Sequence, residues 1–272
     1  MNLEFSEDEI QRYSRHILLQ EVGGIGQAKL RAARVLVIGA GGLGSPLTLY
    51  LAAAGIGTIG VVDDDVVDLS NLQRQIAHTT DRIGLAKVAS AAQAATAINP
   101  GLNVETYAAR LTADNALNLV SRYDIICDGT DNFDTRFLVA DACVLAKRTL
   151  VSAAVLRFEG QLSVFKPHEG EPCYRCLYPE PPPRGAAPTC SEVGVLGSVT
   201  GVMGTLQATE VLKEILGMGD TLAGRLLVWD ALATRFRTIK LRPDPSCALC
   251  GPKATIIDLS GHRVPEGPTC AI

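Results

Sequence analysis

Three glycines at fixed spacing, Gly39, Gly41 and Gly44, are the first residues of this 272-residue chain whose types suggest chemistry. They follow the apolar run Val35-Leu36-Val37-Ile38 and precede a segment rich in Ala, Leu and Thr. A strand that runs through Gly-x-Gly-x-x-Gly into a helix brings phosphate against backbone N–H groups at a helix N-terminus. Asp63 closes the next apolar run, Ile59-Gly60-Val61-Val62, where a carboxylate can accept both ribose hydroxyls of a nucleotide. Alone, the pattern fits NAD, or a glycine-rich turn that holds no ligand.

The polar residues further on narrow the choice. Ser70-Asn71-Leu72-Gln73-Arg74 and Lys87 follow the second strand, and Asp131-Asn132 follow the run Ile125-Ile126-Cys127-Asp128. In an open α/β sheet these loops all emerge at the carboxyl edge, where ligands bind. Arg74 and Lys87 can neutralise phosphate charge that grows as pyrophosphate leaves, and Asp131 can hold a magnesium ion. Either cation alone would read as a surface residue; together with Asn71 and Asp131 they suit a triphosphate. A nicotinamide site would need a proton-transfer residue there, and His78 is the only histidine nearby.

Eight cysteines stand at 127, 143, 173, 176, 190, 247, 250 and 270. Cys173-Tyr174-Arg175-Cys176 and Cys247-Ala248-Leu249-Cys250 have the spacing of a four-thiolate structural zinc site, with redox pairs or free buried thiols as the alternative. The pairs lie about 70 residues apart, so a metal would staple distant segments. Cys190 ends a proline-rich stretch from Pro179, read as a mobile surface loop over 179–190. A thiol there could attack an activated acyl group or take part in sulfur transfer, or have no role. Cys127 and Cys143 sit in core-like patterns, and Cys270 is in the tail.

The elements that must carry these residues alternate strand and helix. Ser6, with Glu9 three places on, forms a capping box for a helix to Gln20 whose face joins Ile10, Tyr13, Ile17 and Leu18. Arg12, Arg15 and His16 fall off that face as solvated cations. Gly23 to Gly26 ends this helix, and Gln27 to Ala33 forms a short second one. Further helices are expected over 45–54, 84–98, 112–121, 130–146 and 197–216. In the last, Gly197, Gly201 and Gly204 would let another backbone approach. Strands are expected at 35–38, 59–62, 104–107, 123–128, 150–155 and 160–165, with a hairpin pair at 226–230 and 236–241. The fold class is therefore α/β: a Rossmann-like, doubly wound, mostly parallel sheet continued by antiparallel strands. The expected divisions are an N-terminal helical segment (1–33), a nucleotide-binding half (34–155), a second half with the cysteine pairs (156–251) and a tail (252–272).

Composition excludes some partners. The net charge of −4 gives no electrostatic basis for nucleic-acid or anionic-membrane capture. The longest weakly polar stretch, Val193 to about Ala208, falls short of the roughly 20 apolar residues a spanning helix needs. With no signal-peptide plan at the start, a cytoplasmic protein is expected.

Taken in order, these motifs resemble the MoeB/ThiF family, relatives of ubiquitin-activating enzymes. They are Arg12-Tyr13-Ser14-Arg15-His16, the 39–44 glycine loop, Asp63, Ser70 to Gln75, Gly84-x-x-Lys87, Asp128-Gly129-Thr130-Asp131-Asn132 and the two Cys-x-x-Cys pairs. The resemblance implies adenylation of the C-terminal glycine of a ubiquitin-like sulfur carrier ending in Gly-Gly. It implies that Gly42 and the glycine loop hold ATP, Asp63 the ribose, and Asn71, Arg74 and Lys87 the phosphates. Asp131 would bind magnesium, and Asn132 would help hold the nucleotide. A homodimer is implied, with Arg15 reaching the triphosphate of the other subunit. Cys190 matches a loop cysteine that carries a thioester or acyl disulfide in some members and is dispensable in others.

Two departures stand out. Longer relatives carry a rhodanese-like domain, whereas this chain stops at Ile272, so a separate sulfur donor such as a cysteine desulfurase or rhodanese is expected. The 179–188 stretch is also unusually proline-rich, which bears on how the carrier tail is gripped. The carrier stays open among molybdopterin, thiazole, tRNA-thiolation and cysteine synthesis. An NAD-dependent oxidoreductase and a non-catalytic docking subunit are the competing readings.

Overall fold

The structure, a computed structural model, describes residues 3–183 and 193–263. Near-continuous apolar runs form its centre: β1 (Arg34–Ile38), β2 (Thr58–Val62) and β4 (Ile125–Asp128) are buried almost throughout. Strands this apolar need cover on both faces, as in parallel sheets flanked by helices. With β3 (Asn103–Tyr107) and β5 (Thr149–Leu156) they make a five-stranded parallel unit, order β3-β2-β1-β4-β5. The sheet continues through β6 (Glu159–Phe165), β7 (Arg225–Asp230) and β8 (Arg235–Lys240), all antiparallel. This is the expected fold class.

Helices cover both faces. α3 (Gly44–Ala54), α4 (Lys87–Ile98) and α8 (Gly197–Leu216) pack over one core, which includes Val35, Val37, Leu47, Leu51 and Met203. α5 (Ala116–Ser121) and α6 (Phe133–Leu145) close the other, around Leu36, Tyr123, Ile126 and Phe137. Chain order reverses between β1 and β4, so a crevice opens above their carboxyl ends. No helix among the described residues is long and apolar enough to cross a membrane.

Several boundaries move for identifiable reasons. α1 (Glu7–Ile17) has the Ser6–Glu9 capping box in both directions, yet Ile10 is 51% and Leu18 72% exposed. Of the expected apolar face, only Tyr13 is buried, its hydroxyl accepting from Asn99 Nδ2 at 2.9 Å. Arg12 is no idle cation: it donates to the Ile98 carbonyl at 2.7 Å and so caps α4. Gly23, at φ +56°, turns the chain into α2 (Gly23–Ala32) rather than ending α1. Residues 84–86 do not join α4. Ala86 bridges Val66, and Val67 and Leu85 pair through their backbones. Lys87 thereby becomes the first residue of its helix. α6 likewise starts only at Phe133, because Asn132 caps it by accepting from Thr135 N at 2.8 Å.

α8 matches its expected range and crosses α3 closely. A β-carbon at Gly204 would lie 2.5 Å from the Leu43 carbonyl oxygen and 2.6 Å from Pro46 Cγ. We expect Gly204→Ala to lower unfolding stability by about 1–3 kcal/mol through overpacking, as read from urea denaturation. An unchanged midpoint would show that α3 and α8 can separate freely.

Candidate functional site

A cavity of about 600 Å³ occupies the crevice. At one end lie Gly39, Gly41, Gly42, Asp63, Arg74, Lys87, Asp131 and Asn132. The glycine loop is built backbone against backbone. Gly39 has φ +92°, and its carbonyl oxygen fills the place of a β-carbon at Gly44, which would be only 1.8 Å away. Gly44 therefore shapes the loop from behind and does not line the cavity.

Two side chains, half-buried Asp63 and buried His78, fix the Ala40 peptide. Asp63 Oδ2 accepts from Ala40 N at 2.8 Å, while Asp63 Oδ1 accepts from Asp65 N at 2.9 Å. Each carboxylate oxygen keeps a second lone pair, so Asp63 can still receive hydroxyls. Burial raises its proton affinity, and the two backbone N–H bonds work against that rise. His78 Nε2 meets the Ala40 carbonyl at 2.9 Å, and Nδ1 meets Ser90 Oγ at 2.9 Å. A carbonyl can only accept, so Nε2 carries the proton and Nδ1 accepts from Ser90.

The cations are held ready by acceptors. Lys87 is buried, and its ammonium donates to Asp65 Oδ2 at 2.7 Å. Arg74 donates to the Ser70 carbonyl at 3.0 Å. Asp131 and Asn132 sit on the turn between β4 and α6. Beneath them, buried Asp128 accepts from Thr130 N and Oγ1, and Arg136 donates to the Thr130 carbonyl at 2.6 Å. Arg136 also lies 3.5 Å from Asp128; burial works against its charge, and the Asp128 carboxylate more than offsets this and keeps the guanidinium charged.

Not every residue singled out in the sequence reaches the cavity. Ser70, Asn71, Leu72 and Gln73 do not line it. Asn71 and Asp68 cap each other across a short 3₁₀ turn, Leu69–Asn71. From that loop, Arg74 and its neighbour Gln75 line the cavity. Arg15 is exposed on α1 and is not among the lining residues. Cys190 and Cys270 lie outside the described residues.

The cavity also has an end that single-residue reasoning missed. Leu156, Gln161, Tyr174, Tyr178 and Val195 line it, from β5, β6, the short helix α7 (Tyr174–Leu177) and the chain before α8. Tyr178 donates to Gln161 Oε1 at 2.9 Å. Tyr174 meets Phe137 and Phe165 edge-on at 5.2 and 5.5 Å. Arg110 and Arg136, further cations of the wall, carried no spacing signal.

The cysteine pairs converge. Cys173–Cys176, Cys173–Cys247 and Cys176–Cys250 sulfurs are 3.8, 3.6 and 3.4 Å apart, and all four could hold one metal ion. Sulfurs arranged tetrahedrally around zinc lie about 3.8 Å apart, so the cluster fits. Asp244 N donates to Cys176 Sγ at 3.3 Å, the kind of backbone support that steadies a thiolate ligand. Burial pushes the Cys173 thiol up, so four thiolates here call for a cation.

The ThiF family profile matches residues 13–249. The chain belongs to the ThiF family, as its motifs suggest. It is 54% identical to the adenylyltransferase and sulfurtransferase MOCS3 of Bos taurus over 95% of this chain and 57% of that protein. It is 53% identical to the probable adenylyltransferase/sulfurtransferase MoeZ of Mycobacterium tuberculosis, over 89% of this chain and 62% of that one. The chain thus spans less than two thirds of the length of these relatives. The E. coli MccB structure with ATP superposes with a TM-score of 0.76 at 22% identity, over 90% of this chain and 75% of that one, a likeness of fold.

His78 makes a pH test available. Burial lowers its proton affinity, so below about pH 6.5 the unfolded chain binds the proton first. Its stabilising contribution is full above that value and is lost as pH falls through the lower folded value. We expect the urea midpoint to drop more between about pH 7 and about pH 5 in the wild type than in His78→Gln. Parallel pH profiles would remove His78 from the acid sensitivity.

Proposed function

We propose that this chain adenylates the C-terminal glycine of a ubiquitin-like sulfur carrier. The observation that carries the reading is one cavity joining the glycine loop, Arg74, Lys87 and Asp131 to a second end lined by Leu156, Tyr174 and Tyr178. A triphosphate suits the first end, and an extended chain ending in small residues suits the second.

The tail carboxylate attacks the α-phosphorus of ATP. The new C–O–P linkage forms as the bond to the β-phosphate oxygen breaks, and pyrophosphate leaves. Gly41 and Gly42 offer backbone N–H groups to phosphate, Gly39 shapes the loop with its own N–H donated to the Val62 carbonyl at 2.8 Å, and Asp63 receives the ribose. Lys87 exchanges Asp65 for phosphate oxygens, and Arg74 meets the charge that grows on pyrophosphate. Asp131 would hold magnesium, which would screen the phosphates and orient the leaving group. Asn132 helps hold the nucleotide, while Ser70 to Gln73 act through the loop that aims Arg74. The halves 34–155 and 156–251 divide nucleotide and carrier between them, with 1–33 and 252–272 flanking. A persulfide donor then acts on the acyl-adenylate, with Cys190 a candidate for that later step.

A homodimer fits the same reading. Arg15 is exposed and does not line its own chain's cavity, and Ile10 and Leu18 beside it are exposed too, a surface suited to the other subunit. Zinc suits the closed four-sulfur cluster in a structural role.

The first test is ATP–pyrophosphate exchange with a carrier ending in Gly-Gly. Exchange should appear in the wild type and fall roughly 100-fold or more in Arg74→Ala, with the unfolding curve nearly unchanged. No exchange with any carrier, together with a melting shift caused by NAD, would favour the oxidoreductase. Carrier binding without exchange would favour a docking subunit. For the metal, we expect one zinc per purified chain and a lower melting temperature in Cys247→Ser. A metal-free chain with normal melting would sink the zinc reading.

A further inference from the structure

The first turn of α8 touches both loops that frame the cavity. Just before it, Val195 lines the tyrosine end and bridges Arg157, and Leu196 N donates to the Arg157 carbonyl at 3.2 Å. This segment is thus fixed to the turn between β5 and β6. Gly197 follows at once and rests on the Gln73–Arg74 backbone. A β-carbon there would lie 2.3 Å from the Gln73 carbonyl oxygen, 3.0 Å from Gln73 Oε1 and 3.2 Å from Arg74 Cβ. The nearest obstacle is backbone, which cannot rotate aside. Thr200, one turn on, packs on Gly42, where a β-carbon would be 3.1 Å from its side chain. Gly201, on the same helix, faces nothing within 4 Å.

We propose that Gly197 is a positioning residue that seats the Gln73–Arg74 peptide against α8 and so aims Arg74 into the cavity. The role rests on the adenylation reading above. Among the described residues, the Arg74 guanidinium is held through its own loop, by the Ser70 carbonyl, so its direction follows wherever α8 sets that loop. An added methyl must push the loop by about 1 Å, a displacement that can cost on the order of 100-fold in rate. Alanine is the better helix former, but crowding against backbone lowers stability here as it does at Gly204, so exchange is compared at a temperature where the melting curves show every variant folded. The Val195–Gly197 segment also makes the tyrosine end and the Arg74 loop neighbours through three residues of chain.

The experiment compares Gly197→Ala with Gly201→Ala by ATP–pyrophosphate exchange, with melting curves alongside. We expect kcat to fall about tenfold to a hundredfold in Gly197→Ala with KM for ATP little changed, and to stay within about twofold in Gly201→Ala. In an Arg74→Lys background, Gly197→Ala should add less than about twofold, because both changes act through one guanidinium. Equal losses in the two alanine variants, near-normal exchange in Gly197→Ala, or full additivity with Arg74→Lys would each overturn the role. Where the Arg74→Lys background is silent, the Gly201→Ala comparison decides. Absence of exchange in the wild type would instead remove the adenylation reading, and this role with it.

Discussion

The Ala40 peptide is gripped from both sides, and the rest of the site depends on that grip. Asp63 takes its N–H and His78 donates to its C=O, so neither polar group can turn away. A glycine loop has little side chain to lock it, and its shape must come from outside. Here it comes from the end of β2, from the segment before α4, and from Gly39 folding its carbonyl into the space beside Gly44. His78 is itself locked by Ser90 on α4, and Arg82 donates to the Ser90 carbonyl at 2.9 Å. The path from α4 to the loop is thus a chain of buried hydrogen bonds, which a low-dielectric setting makes strong while satisfied and costly when broken.

Charge is balanced by the same economy. Buried cations need partners, and each one at the cavity has one. Lys87 has Asp65, and Arg136 has Asp128 together with two carbonyls. The two pairs differ in kind. Asp128 is wholly buried, so Arg136 is fixed in the wall beneath Asp131. Asp65 is 67% exposed at its side chain, so water can take it over when an anion claims Lys87. One cation therefore builds the site, and the other is free to change partner.

Much of this was legible in the sequence because it is local. The capping box at Ser6, the apolar runs of β1 and β2 and the glycine spacing each act within a few residues. What could not be read depends on distant chain. Residues 84–86 carry a helical pattern, yet they pair with 65–67, and that pairing puts Lys87 beside Asp65. The motif does not say that Asn71 Oδ1 accepts from Asp68 N and so shapes the loop that carries Arg74. Tyr174 and Tyr178 flank a cysteine pair, and nothing in their spacing says that they face a cavity. Arg136 lies in the first turn of α6 with no motif that marks it. The α1 face is apolar by pattern but exposed, because amphipathicity states that a face needs cover and not which chain supplies it.

The cysteine cluster matters to the cavity through Asp141. This carboxylate is wholly buried on α6 and accepts from Arg175 Nε and Nη2 at 2.7 and 2.8 Å. Arg175 sits between Cys173 and Cys176, and its Nη1 donates to the Pro179 carbonyl at 2.9 Å. His262 Nε2 meets the same carboxylate at 2.7 Å, tying in the chain beyond the second cysteine pair. Asp141 thus binds two segments that have no strand or long helix of their own, the one around Arg175 and the one at His262. Tyr174 and Tyr178 belong to one of them, placed on either side of Arg175. A short helix of four residues cannot hold two aromatic rings by its own hydrogen bonds. The four sulfurs on one side and the Asp141 ion pair on the other fix it, so the shape of the cavity's tyrosine end is set by residues that never touch its contents.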